Sequence, residues 1–288
     1  MRRCLHPRVA GRTVTRVQVL DSTVSRQSQA ELCESLTGRR VRGTRRRGKW
    51  LVLDLGEMLL IVHLRMTGRL IWEPDEEEQG RRPRFVIDFD DGERLHFFDV
   101  RRFGRLWAVP ATEEEEFFAD IGAEPLEEEF TVERLLAGMA GRTAPLKSFL
   151  TDQRRLAGVG NIYADEALFR ARLHPLRPAG SVGPREAERL HRAVVETLQL
   201  GIDHEGSSVE SFVDPAGSRG RFQEILNVYQ RTGQPCRVCG TPIRRIVVGG
   251  RATHYCPHCQ PRRSMMVRTS PAAGRGGARG TPPHRAGT

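Results

Sequence analysis

Cys236-Arg237-Val238-Cys239 and Cys256-Pro257-His258-Cys259 enclose sixteen residues near the end of a 288-residue chain. Two Cys-x2-Cys knuckles at that separation offer four thiolates to one tetrahedral ion, the pattern of a structural zinc site with no open coordination position. Two disulfides are the alternative. They are disfavoured in a chain that opens Met1-Arg2-Arg3-Cys4 without an apolar leader and so reads as cytoplasmic. Between the knuckles, Ile243 to Val248 and Ala252 to Tyr255 flank Gly249-Gly250, which predicts a β-hairpin. A zinc ion saturated with sulfur does no catalysis; it holds the hairpin and its Arg251 in place. Cys4 and Cys33, outside the cluster, read as ordinary buried thiols.

Upstream of the finger the apolar period is helical. Ala187, Leu190, Val194 and Leu198 follow Pro184 at a helix start, and Val132, Leu135, Leu136 and Met139 repeat the spacing. Residues 13 to 110 read instead as strands. Val14 to Val19 alternates, and Leu51 to Asp54 and Leu59 to Val62 flank Gly56-Glu57. Phe85 to Phe89 and Leu95 to Phe98 are joined by Asp90-Asp91-Gly92, a strong turn signal. The acidic stretch from Glu113 to Glu129 predicts a solvated helical face that connects the two regions and is repelled by phosphate. Ser264 to Thr288 carries four arginines, no acidic residue and mostly Gly, Pro, Ala and Thr, which predicts a disordered basic tail. The expected fold class is α+β and multidomain. It comprises an antiparallel β-sandwich over 1–112, a helical unit over 113–228, a zinc finger over 229–262 and a tail over 263–288.

Charge narrows the partner. Against 36 acidic residues stand 46 basic ones, a formal +10, and only Lys49 and Lys147 are lysines, leaving 44 arginines. A field made almost wholly of guanidinium stays charged and grips phosphate bidentately, so an acidic partner is expected. The composition, 38% hydrophobic and 28% charged, excludes a disordered chain, a collagen and a membrane-embedded protein.

Three further motifs carry chemistry. Gly158-Val159-Gly160-Asn161 turns tightly and opens a helix at Asn161, where free N–H groups can receive a phosphate; without the rest of the chain a plain helix cap explains it as well. His63 to Gly68 and Asp99 to Gly104 place Met66, Arg101 and Phe103 in loops beside strand ends. Such side chains either pack a core or wedge a base step open and fill the vacancy when a nucleotide leaves the stack. Arg45-Arg46-Arg47-Gly48-Lys49 ends a run of arginines in a lone amine. Surrounding cations lower the pKa of such an amine and fit it to move protons, although a solvated basic face is the ordinary reading.

In this order the four signals resemble the bacterial formamidopyrimidine-DNA glycosylase family, the base-excision enzymes that remove oxidised purines and then cut the backbone. The resemblance runs from about Arg2 to Gln260 and is most specific at Gly158 to Glu166, Asp99 to Gly104 and Gly250-Arg251-Ala252-Thr253. It implies a β-sandwich, a helix–two-turn–helix domain around Lys147 to Pro175 and a zinc finger, with duplex DNA in the cleft between; the sequence is silent on oligomeric state, and a monomer is assumed. By the same likeness Lys49 is the β-elimination lysine and Arg251 the finger arginine of the second elimination and of phosphate contact. Met66, Arg101 and Phe103 fill the gap and wedge the duplex. Lys147 and Asn161 contact DNA near the flipped nucleotide, and Arg82 stands near a DNA-contacting position usually held by histidine. Asp214 to Phe222 matches a mobile loop that closes over the damaged base.

Family members open with Pro-Glu-Leu-Pro-Glu, whose proline is the nucleophile, and Met1 to Pro7 matches instead the later part of the first helix. A Schiff base requires an unprotonated amine held in attack geometry, which an N-terminal amine supplies at neutral pH. The expectation is therefore a start assigned too late, with the proline encoded upstream. The alternative is a catalytically silent binder of damaged or abasic DNA on the same scaffold.

Overall fold

The computed structural model describes residues 1–72, 74, 81–206 and 220–262. The predicted tail over 263–288 and most of the stretch Asp214 to Phe222 lie outside the described residues.

Two four-stranded antiparallel sheets face each other. The first runs β1 (Val14–Val19), β6 (Phe85–Phe89), β7 (Arg94–Asp99), β5 (Gly68–Ile71). The second runs β2 (Gly43–Arg47), β3 (Trp50–Asp54), β4 (Met58–His63), β8 (Arg105–Pro110). Val17, Phe85 and Phe97 from one sheet and Leu53, Leu60 and Leu106 from the other meet in a single core. Leu5 and Val9 of α1 (Arg2–Val9) and Leu32 and Leu36 of α2 (Gln29–Leu36) seal it, each pair one helical turn apart. Those positions take the inward faces, so Cys4 and Cys33 fall on the flanks. Both are half-buried rather than buried, and the Cys33 thiol donates to the Val17 carbonyl at 3.2 Å.

The second sheet is covered on both faces, which explains why β4 reads as an unbroken apolar run instead of alternating. Its outer side buries Val52, Leu59, Ile61 and Val109 beneath Phe117, Phe118 and Ile121. Trp50 anchors that patch edge-on, with ring centroids 5.5 Å from Phe117 and 6.1 Å from Phe118. This packing corrects the expectation for Glu113 to Glu129. Only Glu114–Phe117 (α3) is α-helical there, and the Phe117 and Phe118 rings, 84° apart, cover the sheet. Glu124, far from solvated, is 5% exposed.

A second core belongs to the helices. It joins α4 (Val132–Met139), α5 (Leu146–Thr151), α6 (Asn161–Arg170) and α7 (Pro184–Asp203) through Leu135, Met139, Leu150, Leu168, Leu190 and Val194. The Thr131 hydroxyl caps α4 by accepting from the Arg134 N–H at 3.2 Å, and Pro184 starts α7 as expected. Beyond Tyr229 the hairpin β9 (Arg244–Val248) and β10 (Arg251–Tyr255) turns through Gly249 and Gly250, both at positive φ. That is the type I′ arrangement the Gly-Gly pair favours. Among the described residues no helix is long and apolar enough to cross a membrane.

Candidate nucleic-acid interface

Strand register gathers the sequence motifs at one end of the second sheet. Trp50 pairs with His63, and His63 with Arg105. The β2–β3 turn holding Lys49, the loop after His63 holding Met66, and the loop before Arg105 holding Arg101 and Phe103 therefore emerge side by side.

The Lys49 turn has two residues, and Gly48 takes φ +55° within it. Its backbone abuts the helical unit: a Cβ on Gly48 would lie 3.3 Å from the Gly158 nitrogen. Glu124 fastens the turn by accepting from the Gly48 N–H and from Arg46 at 2.8 Å, with Arg47 ion-paired at 3.5 Å. The arginine run is thus strand β2, at the edge of its sheet, with two of its guanidiniums engaged by a buried carboxylate. Lys49 reaches over Gly160, where a Cβ would lie 3.2 Å from its Nζ, and donates to the Val159 carbonyl at 3.3 Å. The residue is open to solvent at its surface but surrounded by protein on most sides, a group on a cleft floor. That burial, followed by the Arg251 and Arg65 charges, lowers its amine to about 8. The neighbouring His63 is lowered to about 4, by burial first and then by Arg65 and Lys49, and its Nδ1 accepts from the Arg65 N–H at 3.0 Å.

Asn161 begins α6 behind the tight turn at Gly158, φ +82°. Its side-chain amide donates to the Ala252 carbonyl at 3.0 Å, tying the zinc hairpin beside Arg251 to the helix start. Lys147 corrects an expectation. Its residue is 1% exposed, and its amine donates to Asp165 at 2.5 Å and to the Asn161 carbonyl at 2.6 Å. Asp165 in turn accepts from the His254 N–H at 2.9 Å. A side chain so enclosed has no surface to offer a phosphate; it braces the helix start against β10. Glu166, next along, accepts from the N–H groups of Asn227, Val228 and Tyr229 and from the Asn227 side chain, all within 3.0 Å. Sequence reasoning placed both carboxylates within the Gly158 to Glu166 string but gave neither a role, because acidic residues after a helix start are ordinary.

Met66 and Phe103 are exposed, at 49% and 46%, rather than packed in a core. Arg101 sits between them, 4.9 Å over the Phe103 ring and 3.5 Å from the Met66 sulfur. Arg82 is exposed two residues before Arg84, which binds the Asp99 carbonyl at 3.1 Å, so it stands at the same end of the first sheet.

The four cysteine sulfurs of the finger lie within 4.8 Å of one another, with Cys236–Cys259 at 3.9 Å and Cys239–Cys256 at 3.5 Å. A tetrahedron with Zn–S bonds of about 2.3 Å has edges of about 3.8 Å, so the donor set fits zinc. The Val238 and Cys259 N–H groups point at the sulfurs of Cys236 and Cys256, both at 3.4 Å, and Phe169 and Val228 close an apolar shell. Cavities of 360, 560 and 200 Å³ lie elsewhere, lined by none of Lys49, Asn161 or Arg251.

Three family descriptions match in chain order: the formamidopyrimidine-DNA glycosylase N-terminal domain over residues 1–106, its H2TH domain over 121–213, and a zinc finger found in FPG and IleRS over 233–262. The four thiols accordingly hold one structural zinc ion. The formamidopyrimidine-DNA glycosylase of Pelotomaculum thermopropionicum is 43% identical over 264 residues, covering 90% of this chain and 96% of that protein. That of Symbiobacterium thermophilum is 41% identical, covering 97% and 92%. Among solved structures, the MutM (Fpg) protein from Thermus thermophilus aligns with TM-score 0.81 at 43% identity, covering 90% of this chain and 95% of that one. The Lactococcus lactis Fpg in complex with DNA containing an abasic site aligns at 0.83 and 33%, covering 91% and 97%. Relatedness of this depth, sustained through all three units in the same order, makes the chain a member of the formamidopyrimidine-DNA glycosylase family.

Proposed function

We propose that the protein is a base-excision repair DNA glycosylase that binds damaged or abasic duplex DNA as a monomer, its removal of oxidised purines and cleavage of the abasic site depending on a proline amine such as the one that opens the family's sequences. The observation that carries this reading is the convergence, at one sheet end, of an amine lowered to about 8 and an exposed methionine–arginine–phenylalanine assembly. Every group named in the site comes from one chain, which supports action as a monomer.

In this reading the arginines and the start of α6 hold the phosphates, and Met66, Arg101 and Phe103 occupy the space of the extruded nucleotide. Replacing lost stacking contacts offsets part of the unstacking cost of a few kcal/mol. Lys49 exchanges protons near neutral pH at the sugar, and Arg251 steadies the phosphate that departs. Lys147 and Asp165 position Asn161 and the finger strand and do not touch DNA. The zinc contributes rigidity to the hairpin and takes no part in bond breaking. Localisation follows the substrate: the protein works on chromosomal DNA in the cytoplasm.

The test is fluorescence anisotropy at fixed salt with two duplexes of one sequence, intact or carrying a stable abasic analogue. A baseless site has less stacking to lose, so at least about tenfold tighter binding is expected, a difference of about 1.4 kcal/mol. Equal affinity for the two duplexes overturns the reading. Release of 8-oxoguanine from a lesion duplex reads the glycosylase step.

A further inference from the structure

We propose that Thr67 and Asp99 form a clasp that joins the two wedge loops, so that Met66 and the Arg101–Phe103 pair enter a duplex as one body. The inference rests on the wedge reading above and adds two positioning residues to it. Both loops cross from one sheet to the other, Leu64 to Thr67 from β4 to β5 and Val100 to Gly104 from β7 to β8. Nothing in their local sequence obliges them to move together.

The clasp is a single buried carboxylate. Asp99 is 3% exposed, and Gly68 lies opposite it in the β5–β7 ladder. One carboxylate oxygen accepts from the Thr67 hydroxyl at 2.5 Å and the Arg101 N–H at 3.3 Å; the other accepts from the Gly104 N–H at 2.6 Å. The Arg101 N–H also reaches the Thr67 hydroxyl, at 3.2 Å, so both loops share one donor and one acceptor. Two glycines permit the closeness. A Cβ on Gly68 would stand 2.4 Å from the Leu64 carbonyl oxygen, and one on Gly104 would stand 2.5 Å from the Phe97 ring and 3.0 Å from the carboxylate. Asp21 braces the outer flank through Arg84 at 2.7 Å and Arg102 at 3.3 Å. Ordering two loops beforehand spares the entropy of fixing each during binding.

Thr67 is the residue to change, because its hydroxyl bridges the loops while Asp99 also holds Gly104. Met66→Ala, Phe103→Ala and the double variant are measured for affinity to the abasic-analogue duplex, first in the parent chain and then in Thr67→Val. In the parent the double variant should depart from the product of the single effects by about fivefold or more, as groups acting together do. In Thr67→Val the effects should multiply to within about twofold, and Thr67→Ser should restore the coupling. Unchanged zinc content and a single cooperative thermal transition in every variant exclude general unfolding; Thr67→Val lowers that transition by a few degrees, because the buried Asp99 carboxylate loses one donor. Coupling that persists in Thr67→Val overturns the clasp while leaving the wedge reading intact. A Met66→Ala effect equal on abasic and intact duplexes overturns both.

Discussion

Lys147→Met separates two roles for one amine. Family resemblance puts Lys147 on the DNA; the structure seals it against an Asp165 side chain that is itself 0% exposed. Without the amine, Asp165 keeps only the His254 N–H and ring, at 2.9 and 3.2 Å. Breaking a buried pair from one side costs about 3–5 kcal/mol, and the lost bond to the Asn161 carbonyl adds about 1 kcal/mol. At roughly 2–4 °C per kcal/mol for a chain of this size, the thermal transition should fall by roughly 10 °C. Lys147→Met combined with Asp165→Leu should recover most of that loss, because no charge is then stranded. Calorimetry at saturating zinc measures both variants. DNA affinity against salt is then measured below the transition, where Lys147→Met should leave the slope unchanged. Losing a true phosphate contact flattens the slope by about 0.9. A flattened slope with an unmoved transition refutes the structural assignment.

Arg251→Ala should lower DNA affinity and flatten the salt slope by about 0.9 while leaving zinc content intact, since its side chain is outside the thiol cluster; loss of metal on analysis contradicts this. The two lysines of the chain can be followed by NMR of labelled side chains, and Lys49 should titrate near 8, moving upward in Arg251→Gln. Its folded value lies below its unfolded value of 10.5, so its contribution to stability is least below pH 8 and rises with pH from 8 to 10.5; a midpoint above 10 refutes the cleft-floor placement. Chelating the zinc should abolish hydrogen-exchange protection over residues 243–260 while α7 stays protected, and simultaneous loss in α7 means that the finger and helices form one cooperative unit.

Zinc geometry constrains spacing along the chain, so the cysteine cluster was legible from sequence alone. The strands from Leu51 to Val62 were legible too, because a sheet buried on both faces leaves an apolar run between turn residues. Strand β2 was hidden: Gly43–Arg47 turns one buried side chain, Thr44, inward, and its arginines look like any solvated face. Glu124 was illegible within an acidic stretch, since its partners Gly48 and Arg46 lie more than 70 positions away. Lys147 shows the opposite failure, in which a motif identifies an important residue but not whether its charge points outward. Buried polar networks depend on long-range partners that local period cannot reveal.

The carboxylate of Glu166 grips the backbone at Asn227 to Tyr229, seven residues ahead of Cys236, the first of the metal-binding thiols. The finger is thereby moored at its root by a bond that does not involve the ion. A protein stripped of zinc keeps its first knuckle on a short leash, and the entropy of closing so small a loop is modest. Metal lost to a competing chelator can then be regained by a local rearrangement, without the chain having to find its fold again.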